Sequence, residues 1–222
     1  GIELSTTNNK DEIHILGYFI DVHSKKLIDK IKELKMQRIE SSKKIISFLK
    51  KKNIFLSWEE IYSKTSGIIG RPHLARAMIK QNYVKSINEA FEKYLNDETI
   101  KNIIKYKINT FDAIRLILDA GGLPVIAHPK SINSLNNQID KLVDIGLSGI
   151  EVYAEKYGEM TQSYYLKICE KYNLIPTGGT DYHANNQKYE MMPGMNGPPY
   201  STYEMLIEKA KSIHGKNIGQ KI

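Results

Sequence analysis

The sequence has little cysteine, no long apolar run and no secretory leader pattern. Cys169 is the single cysteine in 222 residues, so a disulfide within the chain is excluded and a reducing compartment is expected. No run of 18 apolar residues occurs, and we expect no membrane-spanning helix. The first ten residues lack the charged-then-apolar pattern of a signal peptide. Together these features predict a cytoplasmic protein without membrane association.

Arginine is also scarce, and the charge is unevenly distributed. The 32 basic residues comprise 28 lysines and four arginines. Residues 23–109 carry 20 basic and 9 acidic residues, a net charge of +11, whereas the other 135 residues carry a net charge of −4. This contrast predicts two structural units, one inserted into or appended to the other. The predicted segments are 1–22, 23–109 and 110–222.

Hydrophobic periodicity predicts an all-helical middle between α/β segments. Residues 12–20 are β-branched and aromatic, which indicates a strand. Between 23 and 109 apolar residues recur at helical spacing, and Ser57 and Ser86 are each followed three residues later by glutamate, which indicates helix starts. Beyond Thr110, helices alternate with the short apolar segments PVIA, IEVY and LIPT, which predicts a parallel sheet or barrel. Helices are predicted there over 131–145, 159–172 and 202–213.

Ionisable side chains follow two of these apolar segments. His128 comes directly after PVIA, and Asp181 and His183 follow LIPTGG. Ligands of parallel α/β folds gather at the carboxyl ends of the strands. Gly178 and Gly179 precede the Asp-x-His pair and would let the backbone pack close to a ligand. The nitrogen and oxygen donors form a mixed set that suits Zn²⁺, Mn²⁺ or Fe²⁺.

Six segments, in this order along the chain, resemble the PHP (polymerase and histidinol phosphatase) phosphoesterases: GIELST, EIHILGYFID, GRPHLARAM, GGLPVIAHP, GIEVY and TGGTDYH. The branch that they resemble most comprises nucleotide 5′-phosphatases and 5′→3′ oligonucleotide exonucleases. The resemblance covers nearly the whole chain and implies a distorted (β/α)7 barrel, formed by residues 1–22 and 110–222, with an all-α insert at 23–109. The family's H-x-H and T-D-H motifs come before the segment at which this chain begins. The resemblance therefore implies a barrel without its first strands, a partial metal site and low activity of the chain alone.

The resemblance also implies a set of metal ligands. Glu3, before the first predicted strand, and His14, within it, match the family's acidic and histidine ligands. The complete set that the resemblance implies is Glu3, His14, His128, Asp181 and His183, of which the last three are also catalytic. Members of the family hold up to three divalent ions, here Mn, Zn or Fe. These ions lower the pKa of a bound water and neutralise the phosphate.

Three further residues have two open interpretations each. Arg71 and His73 flank a proline at a predicted helix start, where free N–H groups and the helix dipole favour anions. They either bind the substrate phosphate or cap the helix. Glu151, within GIEVY, either orients a metal-bound histidine or forms a salt bridge at the end of its strand.

We therefore expect a metal-dependent phosphoesterase that acts on nucleotides or on the 5′ end of short oligonucleotides, with no obligate protein partner. A histidinol-phosphate-type phosphatase and a non-catalytic PHP module of a larger DNA polymerase stay open as alternatives. The long helical insert disfavours the first alternative. The ligands His128, Asp181 and His183 disfavour the second. The +11 charge of residues 23–109 is either a surface that attracts phosphate or a solvated lysine surface.

Overall fold

The chain divides into two compact units. The computed structural model describes residues 1–8, 11–65, 69–104, 107–132, 135–154, 157–183 and 191–214. One unit comprises Gly1–Ile28 and Ile108–Ile222, and we call it the sheet unit. The other comprises Asp29–Lys107, and we call it the helical unit because its described elements are helices.

Among the described residues, the strands of the sheet unit form one mixed sheet. The strands are β1 (Ile2–Asn8), β2 (Asp11–Tyr18), β3 (Ile108–Asn109), β4 (Leu123–Ile126), β5 (Gly149–Ala154) and β6 (Ile175–Gly179). Their order across the sheet is β3-β1-β2-β4-β5-β6. The β1–β2 and β2–β4 pairs are antiparallel, and the β1–β3, β4–β5 and β5–β6 pairs are parallel. A mixed α/β fold is therefore confirmed at the level of its sheet and helices.

The antiparallel strands at the start of the chain depart from the predicted parallel sheet. β1 ends at Asn8 and β2 begins at Asp11, so only two residues separate them along the sequence. A separation that short allows an antiparallel hairpin but not the crossover that parallel strands need. Glu3 consequently lies within a strand and not before it.

Helices of the helical unit begin at the predicted caps. Its helices are α1 (Lys25–Lys50, which crosses the boundary between the units), α2 (Trp58–Ser63), α3 (Arg71–Lys80), α4 (Ile87–Ala90, which continues as a π-helical turn) and α5 (Glu98–Ile103). The Ser57 hydroxyl accepts a hydrogen bond from the N–H of Glu60 at 3.2 Å. Ser86 accepts the equivalent bond from the N–H of Glu89 at 3.1 Å. Both helix starts predicted from the Ser-x-x-Glu spacing are confirmed.

The helical unit has an apolar core of its own. Its fully buried side chains include Leu49, Leu74, Met78, Leu95 and Ile100. Because each such side chain contributes about 1.5–3 kcal/mol when it leaves water, this core stabilises the unit.

The helices of the sheet unit contact strands near both edges of the sheet. They are α6 (Thr110–Asp119), α7 (Leu135–Asp144), α8 (Glu159–Tyr172) and α9 (Tyr200–His214). α6 contacts β1, β2 and β4, α8 contacts β5 and β6, and α9 contacts β6. α7 begins at Leu135, whereas the prediction began at 131; residues Pro129–Ser131 form a 3₁₀ turn, and residues 133–134 lie outside the described ranges. None of the helices in the described ranges has both the length and the apolar character of a membrane span.

The alternation of side chains in the β1–β2 hairpin places ionisable groups on one face. Leu4 and Ile15 are paired across the hairpin and are buried on one side. On the opposite side His14 is paired with Ser5, and Glu3 is the diagonal neighbour of His14. Diagonal neighbours of an antiparallel pair are close enough for long side chains to touch. The hairpin therefore brings an acidic and an imidazole group together.

Candidate metal centre

Glu3, His14 and His128 converge in the sheet unit. Oε1 of Glu3 lies 2.7 Å from Nδ1 of His14 and 3.7 Å from Nε2 of His128. The same nitrogens of the two histidines are 3.0 Å apart, and their rings meet edge to face. Within the described residues, one group of three histidine, cysteine or acidic side chains is close enough to share a metal ion, and it consists of these three residues.

His128 follows the end of β4 and reaches this group from there. The N–H of Ala127 donates a hydrogen bond to the carbonyl of His14 at 2.9 Å and extends the β2–β4 pairing by one residue. The next residue is His128, so its side chain emerges beside His14. The predicted location at the carboxyl end of a buried strand therefore explains how this histidine reaches a site built on β1 and β2.

His128 has a backbone conformation that neighbouring groups must hold. Its φ of 31° and ψ of 58° lie in the left-handed region, which is unfavourable for a residue with a side chain. Oε2 of Glu151 accepts a hydrogen bond from the His128 N–H at 2.8 Å, and the Ser131 hydroxyl donates one to the His128 carbonyl at 3.0 Å. Both polar backbone groups of His128 are thus satisfied by side chains.

Glu151 acts on the main chain and not on the imidazole. Its carboxylate comes from β5, and its pKa is raised by burial, an effect that the hydrogen bond from the His128 N–H opposes. The sequence left two interpretations open for Glu151: it orients a metal-bound histidine or forms a salt bridge at the end of its strand. The observed bond from the His128 N–H is not a salt bridge, and an orienting role through the His128 backbone stays a prediction.

The three clustered groups shift one another's pKa values. Hydrogen bonding to His128 and to His14 holds the pKa of Glu3 well below its usual range. Hydrogen bonding to Glu12 and to Glu3 raises the pKa of His14 to about 9. The pKa of His128 is also raised, chiefly by its interaction with Glu3. Without a metal ion, the ionised carboxylate of Glu3 therefore favours the protonated form of the neighbouring imidazoles.

Glu12 is a site residue that the sequence reasoning missed. Its Oε1 lies 3.3 Å from Nε2 of His14, whereas Nδ1 of that ring faces Glu3 and His128. A carboxylate on one imidazole nitrogen directs the other nitrogen toward a metal. The available signal was the two-residue spacing of Glu12 and His14, which puts both side chains on one face of a strand.

Asp181 and His183 lie beyond β6 and outside the three-residue group. Both side chains are exposed, and Asp181 has a φ of 48°. Nδ1 of His183 donates a hydrogen bond to the Asp181 carbonyl at 2.6 Å and is 3.5 Å from its carboxylate. The Asp181 charge adds to the larger effect of Glu3 on the pKa of His128, so it acts on the cluster from a longer range. The ligand and catalytic roles of Asp181 and His183 stay predictions.

Gly178 approaches a neighbouring strand. A Cβ on Gly178 would clash with the carbonyl oxygen of Tyr153 in β5, and a Cβ on Gly179 would meet nothing within 4 Å. The sequence interpretation gave both glycines a close approach to a ligand. The close approach that the structure shows for Gly178 is between two strands.

Arg71 and His73 lie in the helical unit. The N–H of Gly70 donates to Nδ1 of His73 at 3.2 Å, which caps the start of α3. The Arg71 guanidinium donates to the carbonyl of Leu95 at 3.4 Å and to Oδ1 of Asn96 at 3.3 Å. These contacts show a capping role for His73, and the binding of substrate phosphate by either residue stays a prediction.

The donors of the cluster fit a divalent transition metal. An ion with bonds of about 2.1 Å separates adjacent ligand atoms by about 3.0–3.4 Å in octahedral or tetrahedral geometry. The three observed separations between ligand atoms are 2.7, 3.0 and 3.7 Å, so one is below this interval, one is at its lower limit and one is above it. One carboxylate and two imidazoles form a donor set that suits zinc, manganese or iron. The cluster can therefore hold one ion without a change in the strands.

Comparisons with known proteins confirm the predicted relationship to phosphoesterases. No protein-family model matches the sequence. A 3′,5′-nucleoside bisphosphate phosphatase of Chromobacterium violaceum is 25% identical over 190 residues, which cover 83% of this chain and 67% of the relative. A 5′-3′ exoribonuclease of Haemophilus influenzae is 26% identical over 187 residues, which cover 82% of this chain and 68% of the relative. Both relatives are hydrolases by name, and the prediction of a chain related to phosphoester hydrolases is confirmed.

A solved structure shows the same fold. A Bifidobacterium adolescentis protein, described as a candidate metal-dependent phosphoesterase, superposes with a TM-score of 0.77 at 22% identity. The match covers 93% of this chain and 74% of that protein. At this identity the likeness shows the fold, and it covers nearly all of this chain.

Proposed function

We propose that this sequence forms part of a metal-dependent phosphoesterase that hydrolyses phosphate esters of nucleotides or the 5′ end of short oligonucleotides. The observation that carries the proposal is the convergence of Glu3, His14 and His128, two of which are held by further carboxylates. The names of the two relatives support a nucleotide substrate. The six-strand sheet and its helices are consistent with a distorted (β/α)7 barrel, which belongs to the same proposal.

Glu3, His14 and His128 would hold the divalent ion, and we propose Asp181 and His183 as further ligands. When bound, the ion lowers the pKa of a water and offsets the charge of the phosphate. Glu3 is ready to bind at neutral pH because its carboxyl is ionised. His14 must lose a proton from Nδ1, and Glu12 keeps the remaining proton on Nε2.

We propose Arg71 and His73, in the helical unit, as phosphate-binding residues. Nδ1 of His73 accepts the N–H of Gly70, so Nε2 of the neutral ring carries the proton and can donate to a phosphate oxygen. Burial and the charge of Arg76 lower the pKa of His73, which keeps this ring neutral. Arg71 adds a permanent positive charge at the start of α3.

Phosphate release by the full-length gene product tests the proposal. Adenosine 3′,5′-bisphosphate and a 5′-phosphorylated oligoribonucleotide are compared after treatment with EDTA and after addition of Mn²⁺. His128→Ala should lower kcat by about 100-fold or more, because it removes a ligand of the ion. His23→Ala is the matched control, since this exposed histidine of the sheet unit lies outside the cluster. Equal turnover of both variants, or turnover that persists in EDTA, would refute the metal-dependent mechanism.

A further inference from the structure

A groove between α1 and α5 of the helical unit is lined by lysines. Its volume is about 410 Å³, and its lining includes Lys43 and Lys44 from α1 and Lys51, which directly follows that helix. Phe48 and Ile103 form an apolar floor between these lysines. In the described ranges no carboxylate lines this groove.

The groove lysines differ from six other lysines of this unit. Six lysines of the unit pair with carboxylates: Lys30, Lys52, Lys64, Lys80, Lys93 and Lys101. Among the described residues, no ion pair is found for Lys43, Lys44 or Lys51, and Lys43 lies 5.1 Å from the centre of the Trp58 ring. Three like charges are thus gathered without a counter-charge from the protein. An anionic ligand would offset their mutual repulsion.

The spacing of these charges favours a ligand with several phosphates. Lys44 lies six residues before the last residue of α1, which corresponds to about 9 Å along the helix axis, and Lys51 directly follows that last residue. A single phosphate group cannot contact both amino groups unless the side chains bend toward each other. A chain of phosphates can pair with each lysine in an extended conformation.

Phe48 adds a surface for a base. Its ring is half-buried among the lysines, and Nζ of Lys52 lies 4.9 Å from the ring centre. Proteins that bind single-stranded nucleic acid combine a positively charged groove with aromatic rings on which bases stack. The groove has both components, in the last turns of α1 and at the residue that follows it.

We propose that this groove binds single-stranded nucleic acid, with phosphates on Lys43, Lys44 and Lys51 and a base on Phe48. The proposal deepens the proposed function by giving the oligonucleotide chain a binding surface, and it rests on that function for the identity of the ligand as substrate. The binding surface itself lies wholly in the helical unit and needs no metal ion.

Fluorescence anisotropy with a ten-nucleotide labelled RNA tests the groove. The full chain is kept in EDTA so that no hydrolysis occurs, and the affinity is measured over a series of salt concentrations. The variant Lys44→Glu/Lys51→Glu should bind about tenfold more weakly or worse. Its log–log salt slope should be shallower by about 1.4, since each phosphate contact with a single strand contributes about 0.7.

A matched pair of substitutions separates the groove from net charge. Lys93→Glu/Lys101→Glu changes the charge of the same unit by the same amount, but these lysines pair with Glu89 and Glu98 outside the groove. This control should retain the affinity within about twofold and the salt slope of the unmodified chain. Melting temperatures of both variants show whether the fold is intact. Equal weakening by the two pairs, or equal affinity of the unmodified chain for polyglutamate, would overturn the proposal.

Two further variants divide the proposal into its parts. Phe48→Leu keeps an apolar side chain and removes the ring, so it should weaken binding several-fold and leave the salt slope unchanged. Unchanged affinity would show that no base stacks on Phe48. His23→Ala, outside both the cluster and the groove, should bind RNA as the unmodified chain does. Groove-dependent RNA binding without any metal-stimulated hydrolysis would refute the proposed function and support the groove. Weakening of RNA binding by His23→Ala as large as that by the groove variant would overturn the groove.

Discussion

The carboxylate of Glu151 accepts a hydrogen bond from the backbone N–H of His128 at 2.8 Å. Glu151 lies in β5, and His128 follows the adjacent β4. The bond therefore links the backbone just after β4 to a side chain of the neighbouring strand β5. It satisfies the backbone of a residue in the left-handed region whose imidazole must point at Glu3 and His14.

Glu151→Ala should weaken metal binding because the His128 backbone loses this acceptor. Partners of a metal ligand typically account for 10–100-fold in affinity, and we expect a decrease of about tenfold in Co²⁺ affinity by calorimetry. Glu151→Gln keeps an oxygen acceptor and should stay within about threefold of the unmodified chain. If the glutamine variant is as weak as the alanine variant, the charge of Glu151 matters and the hydrogen bond does not.

The metal-free chain should be most stable at mildly acidic pH. The pKa of His14 is raised from 6.5 to about 9, so its contribution to stability is complete below about pH 6.5 and is lost as the pH rises through 9. The pKa of Glu3 is lowered, so its contribution is present above about pH 4.5 and is lost on acidification. In EDTA, Tm should therefore be highest near pH 5–6.5 and fall by about 2–6 °C by pH 9.5.

His14→Gln is the control for this pH dependence. The variant lacks the titrating imidazole, so its Tm should change less than that of the unmodified chain between pH 6.5 and 9.5. A Tm that rises over this interval in the unmodified chain would show that the cluster does not hold a protonated His14.

Adjacent glycines of β6 should respond very differently to alanine. Gly178→Ala forces a Cβ against the Tyr153 carbonyl and should destabilise the chain by about 1–3 kcal/mol in urea unfolding. Gly179→Ala places a Cβ in open space and should change the stability by less than about 0.5 kcal/mol. Equal losses for the two variants would show that β5 and β6 are not packed as closely as the structure has them.

Elements with strong local signals were predicted well from the sequence. The helix predicted over 159–172 matches α8, which ends where Asn173 takes the left-handed conformation that stops helices. The starts at Ser57 and Ser86 follow from side chains that bond their own helices. β3 is only two residues long and was missed, because so short a strand has no periodicity and forms only by pairing with β1.

The candidate site was less accessible to sequence reasoning. Glu3 and His14 were chosen by family resemblance, and the antiparallel register that makes them diagonal neighbours became visible only in the structure. Glu12 was missed, and the atom that Glu151 contacts could not be predicted, because both depend on which atoms meet after the strands pair.

Anomalous X-ray diffraction from crystals soaked in Mn²⁺ tests the central claim most directly. We predict a peak within about 2.0–2.3 Å of the Glu3 carboxylate, Nδ1 of His14 and Nε2 of His128. The peak should disappear in His128→Ala and persist in His23→Ala. A strong peak elsewhere in the sheet unit, or no peak at a Mn²⁺ concentration that supports hydrolysis, would contradict a metal centre built on these three residues.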